Sequence, residues 1–89
     1  MAVSFKAPVK DITFGYEVID SYNILNKISE FSDFSEDIVI PTMEECAKFS
    51  EEVLAPINAI GDQQGATIDN GVVKMPQEFI DAYKKFAEA

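Results

Sequence analysis

The clearest pattern of apolar positions lies in the middle of the chain and predicts a long amphipathic helix. Between residues 43 and 60, apolar side chains recur at spacings of three and four, while the intervening charged residues face water. The apolar positions are Met43, Cys46, Ala47, Phe49, Val53, Leu54, Ile57 and Ile60. This stripe predicts that Cys46 is a small hydrophobe inside the core.

Two prolines interrupt the backbone hydrogen bonding that this helix requires. Pro41 marks either the first turn of the helix or a kink in a helix that begins near Ser35. Pro56 lies deeper and cannot donate to the carbonyl of Glu52, so we expect it to bend the rod unless the helix is interrupted there.

A shorter helix is predicted before the long one. Tyr22, Leu25 and Ile28 share a helical stripe, so the pattern favours a helix from Tyr22 to Phe31. The polar residues from Ser32 to Asp37 are typical of a connector.

Residues 10 to 20 fit two structures equally well by pattern. A half-buried strand would turn every second residue inward, and the alternating positions are Ile12, Phe14, Tyr16 and Val18. A helix would instead group Ile12, Tyr16 and Ile19 on one face. Propensity favours the strand, because Gly15 weakens a helix by about 1 kcal/mol and β-favouring residues surround it.

A hairpin and a final helix are predicted beyond the long helix. Asn70-Gly71 tolerates the positive φ angles of a type I′ turn, so residues 67 to 74 predict two short strands. Pro76 suits the first turn of a helix. The apolar stripe of this helix consists of Phe79, Ile80, Tyr83 and Phe86. Little chain follows to cover the stripe, so we expect these four residues to form an interface.

The patterns together predict a mainly α fold of about four helices, with one long central helix and a short β-hairpin. A length of 89 residues favours one domain spanning residues 1–89. The apolar runs are shorter than the roughly 20 residues of a membrane span, and Met1 to Lys10 lack the features of a signal peptide. We therefore expect a soluble, cytoplasmic protein.

The charge of the chain is strongly acidic and limits the kinds of partner. Seven lysines and no arginine stand against 16 carboxylates, which gives a formal net charge of −9. This charge repels nucleic-acid phosphates and anionic lipid, so neither is expected as a partner.

The residue types present exclude several kinds of catalytic site. The chain has no histidine, so Ser-His and Cys-His nucleophiles cannot form. Neighbouring carboxylates such as Glu44-Glu45 point about 100° apart on a helix and diverge. Cys46 is the single cysteine, which excludes an internal disulfide and fits a reducing compartment. No catalytic residue and no metal ligand is expected.

Several segments together resemble a known family. They are residues 46–65, with Pro56, Gly61 and Gly65 at particular positions, Asp69-Asn70-Gly71-Val72-Val73, Met75-Pro76-Gln77-Glu78-Phe79, and an opening patch from Phe5 to Ile12 followed by Phe14 and Glu17-Val18-Ile19. With these segments the chain resembles the N-terminal region of the large bacterial acyl-CoA dehydrogenases, roughly from residue 5 to residue 86. It departs from that pattern at Gly15-Tyr16 and at Pro41. The resemblance implies a helix, not a strand, for residues 11–19.

The resemblance also implies a function. In that family a central β domain and a C-terminal helical domain hold FAD, and a glutamate of the latter removes the α proton of the acyl-CoA. We expect this chain to contain neither domain and no cofactor-binding residue. It would instead be a structural module that packs on the remainder of a dehydrogenase performing α,β-dehydrogenation of an acyl-CoA. The alternative is a free-standing acidic interaction module that self-associates or binds a basic partner.

Overall fold

A computed structural model describes residues 4–89, whose contacts group into two compact units. One unit comprises Lys6–Lys48, and the other comprises Phe49–Ala89 together with Ser4 and Phe5. The predicted fold class is confirmed: the chain is mainly α-helical, with a long helix over residues 36–64 and a two-stranded antiparallel hairpin. That the chain forms one domain stays a prediction.

The Lys6–Lys48 unit opens with helix α1, Val9–Val18. The helical interpretation of this segment is therefore confirmed, and the strand suggested by the alternation of apolar residues is wrong. The Thr13 hydroxyl donates a hydrogen bond to the carbonyl of Val9 at 3.0 Å, which a β-branched residue can do inside a helix. Asp20 then adopts a left-handed conformation, with φ of 58°, and separates α1 from the next helix.

The second helix is shorter than the sequence predicts. Helix α2 spans Ser21–Asn26, and a separate 3₁₀ turn follows at Ser29–Phe31. The Asn26 side-chain amide donates to the carbonyls of Tyr22 and Phe34, the latter at 2.6 Å. Asn26 thereby ties the end of α2 to the connector, and the predicted continuation of the helix to Phe31 is wrong.

The long helix begins near Ser35, as one of the two interpretations of Pro41 required. Helix α3 spans Glu36–Phe49 with Pro41 inside it, and the amides of Ile38 and Val39 donate to the carbonyl of Ser35. A π-helical turn, Ser50–Leu54, and a 3₁₀ turn, Ala55–Ile57, follow without a break. Helix α4, Asn58–Gln64, completes the long helix.

Pro56 explains the change of helix type between α3 and α4. Because Pro56 has no N–H, the regular bond to the carbonyl of Glu52 cannot form. The backbone widens just before it, where the N–H of Ala55 donates to the carbonyl of Ser50. The backbone tightens just after it, where the N–H of Asn58 donates to the carbonyl of Ala55. The chain thus remains helical past the proline.

A hairpin and a final helix complete the Phe49–Ala89 unit. Strands β1, Thr67–Asp69, and β2, Val72–Lys74, pair antiparallel, with Ile68 opposite Val73. Asn70 and Gly71 have φ angles of 50° and 80°, as the predicted I′ turn requires. All six strand residues are exposed. Helix α5, Gln77–Glu88, begins directly after Pro76.

The buried apolar residues in the described part of the chain are small. They are Val39 and Ala47 of α3, Pro76, and Ala82 of α5. Cys46 is exposed, so its predicted place in the core is wrong. Ala47 takes the inward position instead, because successive helical residues point about 100° apart. None of the helices within residues 4–89 has both the length and the apolar character of a bilayer-spanning segment.

Candidate docking groove

An open apolar groove lies within the Phe49–Ala89 unit, between the long helix and α5. Its volume is about 340 Å³. The long helix contributes Phe49, Leu54, Ile57 and Asn58, and α5 contributes Phe79, Ala82, Tyr83 and Phe86. The lining is apolar and aromatic apart from the amide of Asn58 and the hydroxyl of Tyr83. A surface of this composition suits apolar contact more than polar chemistry.

Aromatic packing holds the two walls of the groove together. The Phe49 and Phe86 rings meet edge to face, with their centroids 5.9 Å apart and their planes at 60°. Such pairs are worth about 0.5–1.5 kcal/mol beyond the area that they bury. Ala82 is buried at the contact, since its short side chain lets α5 approach closely.

A glycine lets the Phe79 ring lie directly against the long helix. A Cβ atom added at Gly61 would overlap the tip of the Phe79 ring and come within 3.1 Å of both of its Cε atoms. The aromatic ring therefore occupies the space that a side chain would fill at Gly61. This close approach places Phe79 at the base of the groove, where it is half-buried.

The π-helical turn determines which residues of the long helix reach the groove. Residues five apart in an α-helix differ by about 140° in direction, whereas residues four apart differ by only about 40°. Phe49 and Leu54 are five apart and nevertheless both line the groove. The i→i+5 hydrogen bonding of the wide turn makes this possible.

The outer part of the groove lining is exposed to solvent. Tyr83 is 71% exposed, Phe86 64% and Leu54 43%. Aromatic side chains so exposed and so close together are unusual on a surface that contacts only water. The groove is therefore the strongest candidate for a contact surface in the described part of the chain.

The structure brings together three of the four predicted interface residues. Phe79, Tyr83 and Phe86 all line the groove, whereas Ile80, which is 41% exposed, does not. The sequence pattern assigned the residues of the opposite wall, among them Phe49, Leu54 and Ile57, to the core. Pro56 was the one signal that the α-helical spacing changes near these residues.

The unit that contains the groove is acidic as a whole. Residues 49–89 carry seven carboxylates and three lysines. One carboxylate oxygen, Oε2 of Glu78, is buried without a hydrogen-bond partner among the described residues. Residues 4–89 contain no group of three or more side chains that could hold a metal ion.

A second aromatic cluster lies in the Lys6–Lys48 unit. The Tyr22 ring is 5.4 Å from Phe34 and 6.2 Å from Tyr16, centroid to centroid. The Tyr22 hydroxyl is buried with no hydrogen-bond partner among the described residues. Its burial, followed by the charges of Glu36 and Glu17, raises the pKa of Tyr22 above the ordinary 10.0. The hydroxyl is therefore protonated at neutral pH, and the three half-buried rings pack as an uncharged cluster.

The fold and the groove define the chain as a small, mainly helical module with an exposed apolar groove. The chain is similar to 3-methylmercaptopropionyl-CoA dehydrogenase of Ruegeria pomeroyi, with 31% identity over 86 residues. The similarity covers 97% of this chain and 15% of the relative. The predicted resemblance to an acyl-CoA dehydrogenase is thereby confirmed, and the small share of the relative is consistent with an N-terminal segment.

No family model matches the chain, and no solved structure matches it significantly. Because the chain spans about 15% of its relative's length, the activity of a whole dehydrogenase is not a property shown for this chain.

Proposed function

We propose that this chain is a non-catalytic packing module of a flavin-dependent acyl-CoA dehydrogenase, and that its groove docks on the body of the enzyme. One observation carries the proposal: Tyr83 and Phe86 are 71% and 64% exposed in a chain similar to one segment of such an enzyme. Contact with the enzyme body would bury these rings, and burial of apolar area stabilises by about 25 cal/mol per Å².

The chemistry of the parent reaction belongs to the enzyme body in this proposal. FAD, which is the oxidant in α,β-dehydrogenation, does not fit the groove described here. The groove is aromatic and has no lysine in its lining to pair with a pyrophosphate. The chain's own residues therefore contribute packing and not catalysis. A cytoplasmic place of action is proposed with it, because the free thiol of Cys46 suits a reducing compartment.

The test is direct binding to an enzyme body that lacks this segment. The Ruegeria pomeroyi relative is prepared without the segment similar to this chain and is titrated with the purified chain in a calorimeter. We expect a one-to-one complex. The full-length relative should bind at least tenfold more weakly, because its own segment already covers the surface.

Two matched variants distinguish binding through the groove from nonspecific apolar binding. Phe86→Asp places a charge in the proposed contact and should weaken binding at least tenfold, because burying an unpaired charge is costly. Phe14→Asp makes the same change at a residue that is also 64% exposed but lies in the other unit, and it should leave binding unchanged. Equal losses for the two variants, or no complex at all, would overturn the proposal.

The alternative function is a free-standing acidic interaction module, and the net charge of −9 favours the form of it that binds a basic partner. It predicts that the chain self-associates or takes a basic partner with no dehydrogenase body present. Sedimentation of the purified chain at several concentrations tests self-association, and a strictly monomeric chain would contradict that form of the alternative.

A further inference from the structure

We infer that the groove receives an amphipathic α-helix whose apolar face is flanked by lysine or arginine. The inference rests on the docking role proposed above and adds the chemistry of the partner segment. It follows from the shape of the groove, from its backbone and from its charge.

The shape of the groove argues against a small-molecule ligand. Small-molecule sites usually bury 70–90% or more of the ligand surface. Here the α5 wall is open to solvent, since Tyr83 and Phe86 remain mostly exposed. A shallow apolar groove between two helices is the form that receives the apolar stripe of a third helix.

The backbone around the groove excludes the addition of a β-strand there. Every lining residue belongs to a helical segment, either of residues 36–64 or of α5. The N–H and C=O groups of these residues are used within the helices, so the walls offer no free edge for pairing. A partner segment must satisfy its own backbone groups, and a helix does so completely.

The charge of the chain indicates the flanks of the partner helix. Residues 49–89 carry seven carboxylates against three lysines, so the unit that contains the groove is acidic as a whole. The lysines of α5, Lys84 and Lys85, are outnumbered within the unit. A second copy of this chain would bring another nine negative charges, so like-charge repulsion disfavours it. Basic flanks would instead be attracted.

Three synthetic peptides of about 14 residues test the inference, a length at which an isolated helix is marginal and can form on binding. The first has leucine and phenylalanine at positions i, i+3, i+4 and i+7 with lysine flanks. The second keeps the apolar stripe and replaces each lysine by glutamate. The third has the composition of the first in scrambled order, so that its charge is kept and its stripe is lost.

Binding to the full chain is measured by fluorescence anisotropy, and the contacted residues are identified by amide chemical shifts. We expect the lysine-flanked peptide to bind at least tenfold more tightly than either control and to shift amides of residues 49–58 and 79–86. Phe86→Asp should weaken this binding at least tenfold, and Phe14→Asp should not change it.

Each other outcome overturns the inference. Equal binding of the scrambled peptide would show attraction by charge alone, and equal binding of the glutamate-flanked peptide would show that charge has no role. Concentration-dependent dimerisation abolished by Phe86→Asp would assign the groove to a second copy. Failure of the peptides alongside binding of the truncated dehydrogenase would remove this inference and leave the docking role standing.

Discussion

The effect of a Gly→Ala substitution on stability depends on the atoms around the glycine, as Gly61 and Gly15 show. Both glycines lie in helices, where alanine is favoured over glycine by about 1 kcal/mol. A Cβ atom at Gly15 meets no atom within 4 Å, whereas a Cβ atom at Gly61 meets the Phe79 ring. The same substitution should therefore have opposite effects at the two positions.

We predict that Gly15→Ala raises the free energy of unfolding by up to about 1 kcal/mol, through helix propensity alone. Gly61→Ala should lower it by about 1 kcal/mol, because overpacking costs about 1–3 kcal/mol and outweighs the gain in propensity. Urea denaturation followed by circular dichroism measures both changes.

The same substitution made in a Phe79→Leu variant tests why Gly61→Ala should lower the free energy of unfolding. Phe79→Leu removes the ring atoms that the new methyl group would meet, so Gly61→Ala should become stabilising when Phe79→Leu is present. A Gly61→Ala variant that is as stabilised as Gly15→Ala in the natural background would contradict the close approach of Phe79.

Single residues were predicted well where their pattern was unambiguous and poorly where neighbours competed. The stripe of Phe79, Tyr83 and Phe86 was visible in the sequence because three aromatic residues recur on one face of a short helix. Cys46 and Ala47 were both assigned to the core, but only one of two adjacent helical residues can point fully inward. In the structure Ala47 is the buried one of the two, which hydropathy alone could not predict.

At the scale of elements, the hairpin is the least supported part of the described chain. Its six strand residues are all exposed, and Ile68 is 76% exposed. An isolated two-stranded hairpin is marginally stable in water. Its exposed Lys74–Asp69 ion pair, 3.2 Å from Nζ to Oδ2, adds little, since such pairs contribute about 0–1 kcal/mol.

We predict that backbone amides of residues 66–74 exchange with deuterium faster than those of any other ordered segment, because local stability follows packing density. Amides of residues 43–60 should exchange most slowly. Hydrogen exchange measured by NMR at several pH values checks the order. Faster exchange in residues 43–60 than in the hairpin would contradict the packing described for the long helix.

The elements were mostly predictable from the sequence, and the exceptions have local causes. The hairpin followed from Asn70-Gly71, whose backbone requirements leave few other turns. The early end of α2 depends on side-chain bonds of Asn26 to carbonyls as far away as Phe34, which no periodicity contains. Pro56 indicated that the long helix is disturbed but not how. The hydrogen bond lost at a proline can be accommodated either by a bend or by a change of helix type.

At the scale of the whole molecule, like-charge repulsion opposes folding. The net charge is −9 and the sequence pI is about 4.2. Self-repulsion destabilises a compact state, and salt shortens its range from roughly 30 Å at 0.01 M to roughly 8 Å at 0.15 M.

We predict that raising the NaCl concentration over this range raises the Tm by a few degrees, since 1 kcal/mol corresponds to about 4–8 °C for a chain of this size. Differential scanning calorimetry measures the shift. The double variant Asp33→Asn, Glu45→Gln neutralises two exposed carboxylates and should reduce the salt effect. A Tm that falls with added salt would show that attractive ion pairs dominate instead.

The wide turn at Ser50–Leu54 has a consequence for comparing and editing sequences in this region. It places one more residue in the turn than a plain α-helix would hold. An alignment with a relative that is regularly helical here needs a one-residue gap between residues 50 and 54. A chimera joined without that gap would rotate the side chains that directly follow the wide turn and move Leu54 out of line with Phe49.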